Sequence, residues 1–169
     1  RSYPEMEQRV TLVTFDSEHT KWHYDNRPAA KTENLKRKDY CPSGCTPLYD
    51  VMGKAISLVN AQAEEGDNVL VTTITDGEEN CSTEWTLKMI NTIIKKLKKE
   101  HWTFTLIGTD NLDVERMARD FAIDNHLEFC EDEESTEKMW ACDLSSRIRY
   151  MKCLSEDEEI ASGGYFSEE

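Results

Sequence analysis

No apolar run in this chain comes near the roughly 20 residues that a membrane-crossing helix needs. Basic residues are scarce as well. Twenty Lys and Arg stand against 34 Asp and Glu, a formal charge of −14. That balance argues against nucleic acid or an anionic membrane surface as the partner, since both call for a basic face. Only seven glycines occur, and neither GxxxxGK(S/T) nor GxGxxG is found, so the glycine-rich loops that cradle phosphates are missing. The six cysteines (Cys41, Cys45, Cys81, Cys130, Cys142 and Cys153) form no paired CxxC framework. The stretch Arg1–Glu7 has no initiator Met and no apolar segment that would serve as a secretory signal. Free thiols in a reducing, cytoplasmic setting are therefore the expectation.

What is present suits a globular protein. With 169 residues, 38% hydrophobic and 32% charged, the chain is long enough for one domain with a sizeable core. That domain is expected over 1–154. Residues 155–169 carry six acids and no base and are expected to form a disordered acidic tail.

Val10–Phe15 is β-branched and alternating, which predicts a strand, with Lys21–Tyr24 as a short antiparallel edge strand joined through a turn at Asp16–Thr20. Residues 25–46 are polar and predict a loop with one short helix. From Pro47 to about Ala63, the residues Leu48, Val51, Met52, Ala55, Ile56 and Val59 fall on one helical face. Asn68–Thr75 and Trp102–Ile107 predict buried strands, and Leu127–Phe129 a short one. Further helices are expected over about Thr83–Lys99, Leu112–Asp124 and Ser135–Leu154, the first capped by Ser82 and ending in a solvated lysine cluster. Strands alternating with helices predict an α/β fold: a doubly wound, mostly parallel sheet with helices on both faces and one short antiparallel edge strand.

Two loops hold the chemistry. In Ser43–Asp50, Thr46 precedes Pro47, a residue favoured at the first helical position, so Thr46 reads as a helix N-cap. In Thr75–Asn80, Asp76 closes an apolar strand. Ligands of open α/β sheets bind at the carboxyl ends of strands, and a hydroxyl with a carboxylate at one such edge suits a hard divalent cation. Capping alone accounts for a Thr at the first place, and an Asp-Gly turn for an Asp at the second.

The segments Val10–Phe15, Thr46-Pro47-Leu48-Tyr49-Asp50 and Val71-Thr72-Thr73-Ile74-Thr75-Asp76-Gly77-x-x-Asn80 together resemble the von Willebrand factor type A domain, in particular its free-standing bacterial and phage members. The resemblance runs from about Val10 to Trp140. It implies a protein-binding module, not an enzyme, with a metal-ion-dependent adhesion site. Thr46 and Asp76 match the second and third ligand loops of that site. The implied cation is Mg²⁺, with Mn²⁺ or Ca²⁺ as alternatives, and the implied partner is a protein presenting an Asp or Glu to complete the shell.

The family's first loop, Asp-x-Ser-x-Ser, is absent, and so is the strand before it, which the family places between Val10–Phe15 and Asn68–Thr75. The closest segment, Asp143-Leu144-Ser145-Ser146-Arg147, reads as an ordinary helix surface. The domain is accordingly expected to be N-terminally incomplete. The other options are a strand supplied by another chain or a rearranged sheet. Bereft of that strand, its two neighbours would expose unpaired edges, and the metal site would be incomplete in this chain.

The remaining candidates read more plainly. Glu78 and Glu79 fit outer acids of the metal site or simple loop solvation. Asp110 fits the border of the site or the cap of the next helix. Trp22, Trp85, Trp102 and Trp140 are expected to serve packing. His19 and His23 do not converge, and Cys41, Cys45 and Cys81 lack a fourth zinc ligand. If the family fold holds, Cys45 and Cys81 lie near one another, although idle thiols are the default. The competing functions are a metal-assisted phosphohydrolase of the doubly wound class using Asp76, and an assembly protein whose metal site has degenerated.

Overall fold

The computed structural model describes residues 6–40, 43–156 and 164–166. The described residues divide into two compact units, one built from those up to Asp67 together with Glu78–Ile90, the other from Asn68–Gly77 and those from Asn91 onward.

In the first unit, β1 (Arg9–Phe15) pairs antiparallel with β2 (Thr20–Pro28). The turn between them is set by Asp16, whose Oδ1 accepts from the backbone N–H groups of Glu18 and His19, both at 2.8 Å. The hairpin is longer than the expected Lys21–Tyr24. Two short 3-10 turns, Ala29–Lys31 and Arg37–Asp39, follow where one short helix was predicted. Helix α1 (Leu48–Gln62) buries Leu48, Val51, Met52 and Ile56, residues of its predicted apolar face.

The second unit is a parallel three-stranded sheet in the order β3 (Val69–Thr75), β4 (Trp102–Thr109), β5 (Asn125–Phe129). β4 is central and almost wholly buried, which explains its near-continuous apolar sequence. Helix α2 (Leu87–Leu97), which belongs to the first unit through Ile90 and to the second from Asn91, buries Ile90, Ile94 and Leu97. Helix α3 (Val114–Phe121) turns Val114, Met117, Ala118 and Phe121 inward as their spacing predicts, and its N-cap is Asp113, which accepts from Arg116 N–H. Asp110 does not cap it; its backbone N–H donates to Phe129 O. α3 ends on Ala122 in the left-handed region at φ 63°. Helix α4 (Glu133–Ser155) is capped by Asp132.

The fold is thus mixed α/β, with a parallel three-stranded sheet, an antiparallel pair forming a sheet of its own, and four α-helices among the described residues. Among those residues β3 is hydrogen-bonded on one side alone, to β4, although its Val-Leu-Val-Thr-Thr-Ile-Thr sequence is that of an interior strand. Ile74 on this strand is 38% exposed. No helix among the described residues is long and apolar enough to cross a membrane.

Most of the predicted acidic tail, residues 157–163 and 167–169, lies outside the described residues. Gly164–Phe166 within that stretch are described, and Tyr165 is buried. Its backbone N–H donates to Asn125 Oδ1 at 3.0 Å and its carbonyl accepts from Arg149. Burial first, then the neighbouring Asp143 carboxylate, pushes the Tyr165 phenol well above its ordinary pKa.

Candidate functional site

The start of α1 and the loop at 78–86 belong to one unit and are clasped together. Thr46 N–H donates to Asn80 Oδ1 at 2.7 Å, and Asn80 N–H donates back to Thr46 O at 3.2 Å. Next to this pair, Glu79 accepts from the backbone N–H groups of Tyr49, Cys81 and Ser82 and from the Ser82 hydroxyl. Asp50 is buried and accepts from three consecutive backbone N–H groups, Thr83, Glu84 and Trp85, at 2.7–2.9 Å, while its own N–H donates to Ser82 Oγ. A disulfide joins Cys45 to Cys81 across the same gap, with Cα atoms 6.1 Å apart. Lys54 and Glu84 add an exposed ion pair at 2.8 Å.

These bonds settle the electrostatics. Burial opposes ionisation of Asp50, but its three N–H donors outweigh that and hold its pKa below the ordinary carboxylate value. Glu79 is likewise lowered: desolvation is overcome by the Ser82 hydroxyl and the surrounding backbone donors. Both carboxylates are ionised and spent on backbone N–H groups, which is structural work.

Several expectations change here. Thr46 is not an N-cap: α1 begins at Leu48 behind Pro47, no side chain caps it, and the Thr46 backbone is taken up by Asn80. Ser82 caps no helix either. The N–H groups of residues 81–85 are drawn to Glu79 and Asp50, so α2 starts only at Leu87. Glu79 is a clasp residue and not a loop acid left to solvent. Cys45 and Cys81 are bonded to each other and not free, whereas Cys130, Cys142 and Cys153 are free thiols. Cys41 lies outside the described residues. Close packing in the clasp also explains Gly53, where a Cβ would come within 2.0 Å of the Trp85 ring.

Asp76 belongs to the other unit, directly after β3. The Thr75 hydroxyl donates to Gly77 O at 2.8 Å and accepts from Gly77 N–H at 3.2 Å, bending the chain around Asp76. The Asp76 side chain is exposed, and no group among the described residues donates to its carboxylate. Nor does any group among the described residues hydrogen-bond to the Thr46 hydroxyl. Thr46 and Asp76 lie in different units, and each carries a hard oxygen donor of the kind that divalent cations take. Among the described residues no group of three or more His, Cys, Asp or Glu gathers as a metal cluster. His23 instead shares a hydrogen bond with the Thr14 hydroxyl.

Asp143-Leu144-Ser145-Ser146-Arg147 lies in α4, but it is not simply helix surface. Asp143 and Ser146 are buried, and Asp143 pairs with Arg147 at 2.7 Å. Trp102 is buried and Trp85 packs on Gly53, whereas Trp22 and Trp140 are 37% and 51% exposed and do not serve the core as expected.

The functional reading of the sequence missed the clasp formed by Asp50, Glu79 and Asn80. Its signal was present: acceptors in one segment and the Ser-Thr-containing stretch Ser82–Thr86 in another, the composition of side chain-to-backbone capping. Comparison with protein-family models, with curated proteins and with solved structures finds no match.

Proposed function

We propose that this chain is a protein-binding module of the von Willebrand type A class, in which Thr46 and Asp76 contribute oxygens to a divalent cation, Mg²⁺ first among the candidates. A carboxylate from a partner protein would complete the coordination. When bound, the cation supplies a positive centre for that carboxylate. The reading includes a doubly wound arrangement of the parallel sheet and its helices, and a further strand, from another part of the polypeptide or another chain, beside β3, which among the described residues pairs with β4 alone.

The observation that carries the reading is the contrast within the two motifs. Asp50, Glu79 and Asn80 are consumed in holding backbone together, while among the described residues no group hydrogen-bonds to the Thr46 hydroxyl or the Asp76 carboxylate. Clasping at the Thr46 backbone holds the position of that residue without using its hydroxyl. The chain's own contribution is thus binding and orientation; no acid, base or nucleophile is needed.

Titration with MnCl₂ followed by electron paramagnetic resonance tests the assignment. The unaltered chain is expected to bind Mn²⁺ weakly, and Asp76→Ala and Thr46→Val are each expected to lower that affinity at least about tenfold with unchanged circular dichroism. Equal affinity in all three proteins would overturn it.

A further inference from the structure

Helix α4 presents two opposed faces. Met139, Asp143, Ser146 and Tyr150 are buried. On the other side Trp140, Leu144 and Ile148 are 51%, 60% and 46% exposed. Their spacing of four residues puts them on one stripe along the helix. A continuous row of three large apolar side chains, one of them Trp, differs from scattered exposed residues and marks an interaction surface.

The charge on the same helix is polarised. Glu133, Glu134 and Glu137 lie toward its N-terminal end; Arg147, Arg149 and Lys152 lie toward its C-terminal end. Glu134 is paired within the helix to Lys138, and Arg147 to Asp143. Glu137 is exposed and has no ion-pair partner among the described residues. Lys152 is exposed, and among the described residues its ion pair is with the helix C-cap Glu156, at 4.0 Å.

We propose that the Trp140–Leu144–Ile148 stripe is a homodimer surface, two copies of α4 packing antiparallel about a two-fold axis at Leu144. The stripe is self-complementary in that orientation. Leu144 meets its own copy, and Trp140, four residues before it, meets Ile148, four residues after it. Glu137 comes level with Met151 and beside Lys152 of the other copy. A parallel pairing would set acidic end on acidic end and basic on basic. Antiparallel pairing sets Glu137 beside Lys152 and also opposes the helix dipoles. The contact is isologous and closes after two copies. A single helix pair makes a small interface, so the dimer is a weak one.

Sedimentation equilibrium over a concentration series, paired with circular dichroism, tests this. The unaltered chain is expected to pass from monomer to dimer as concentration rises. Leu144→Lys, at a position already mostly exposed, should raise the dissociation constant at least about tenfold with the fold intact. Glu137→Lys should weaken the dimer about fivefold, and Glu137→Lys combined with Lys152→Glu should restore it. A chain that stays monomeric throughout, a dimer indifferent to Leu144→Lys, or a charge swap that does not restore association would each overturn the proposal. None of these outcomes bears on Mn²⁺ binding at Thr46 and Asp76.

Discussion

Thr46 and Asn80, 34 residues apart, exchange two hydrogen bonds: Thr46 N–H to Asn80 Oδ1 at 2.7 Å and Asn80 N–H to Thr46 O at 3.2 Å. One residue is thereby read by the side chain and the backbone of the other. Asn80→Ala keeps the backbone bond and loses the side-chain acceptor. It should cost about 1 kcal/mol in urea unfolding, the usual net worth of one such bond. Asn80→Asp, which keeps an acceptor, should cost less. Equal stability of the unaltered and Ala proteins would show that the bond contributes nothing.

Asp50 carries a heavier load, because three consecutive N–H groups depend on it. Asp50→Ala should destabilise the protein by about 2–3 kcal/mol at neutral pH, and Asp50→Asn by less. The pH dependence has a definite sign. The folded pKa of Asp50 lies below the ordinary 3.8, so its stabilisation is fully present above that value and fades as pH falls through the lowered one. The stability gap between the unaltered chain and Asp50→Asn, which does not titrate, should therefore narrow in acid. A gap that is constant or widens from pH 5 to 2 contradicts this.

The Cys45–Cys81 bond closes a segment with a sequence separation of 36. Reduction restores chain entropy to the unfolded state and should lower stability by up to about 4 kcal/mol. Native near-ultraviolet dichroism should persist, since the Asp50, Glu79 and Asn80 bonds remain. Cys45→Ser with Cys81→Ser should match the reduced protein and lose sensitivity to reductant. If reductant leaves the urea midpoint of the unaltered chain in place, the disulfide does not stabilise it.

Helical spacing was enough to locate the inward faces of α1 and α3, where Leu48, Val51 and Met52, and then Val114, Met117 and Phe121, are buried. It failed at α2, whose start Ser82 and Glu84 place several residues early. Local propensity could not register that Asp50 and Glu79, from positions remote in sequence or outside any helix, would take the N–H groups of residues 81–85. The segment Asp143–Arg147 shows the same limit. Its polar residues suggest a surface, but Asp143 is buried with Arg147 as its partner and Leu144 is turned out.

By itself the sequence determined the mixed α/β order, the inward faces of α1 and α3 and the two loops carrying Thr46 and Asp76, because each rests on patterns within a few residues. Only the tertiary structure decided that Asn80, Glu79 and Asp50 serve the backbone, that Cys45 meets Cys81, and that Trp140, Leu144 and Ile148 face outward. Those outcomes depend on which segments meet in space. A carboxylate or a thiol has no way to encode, in its own neighbourhood, the donor or sulfur that reaches it from more than 30 residues away.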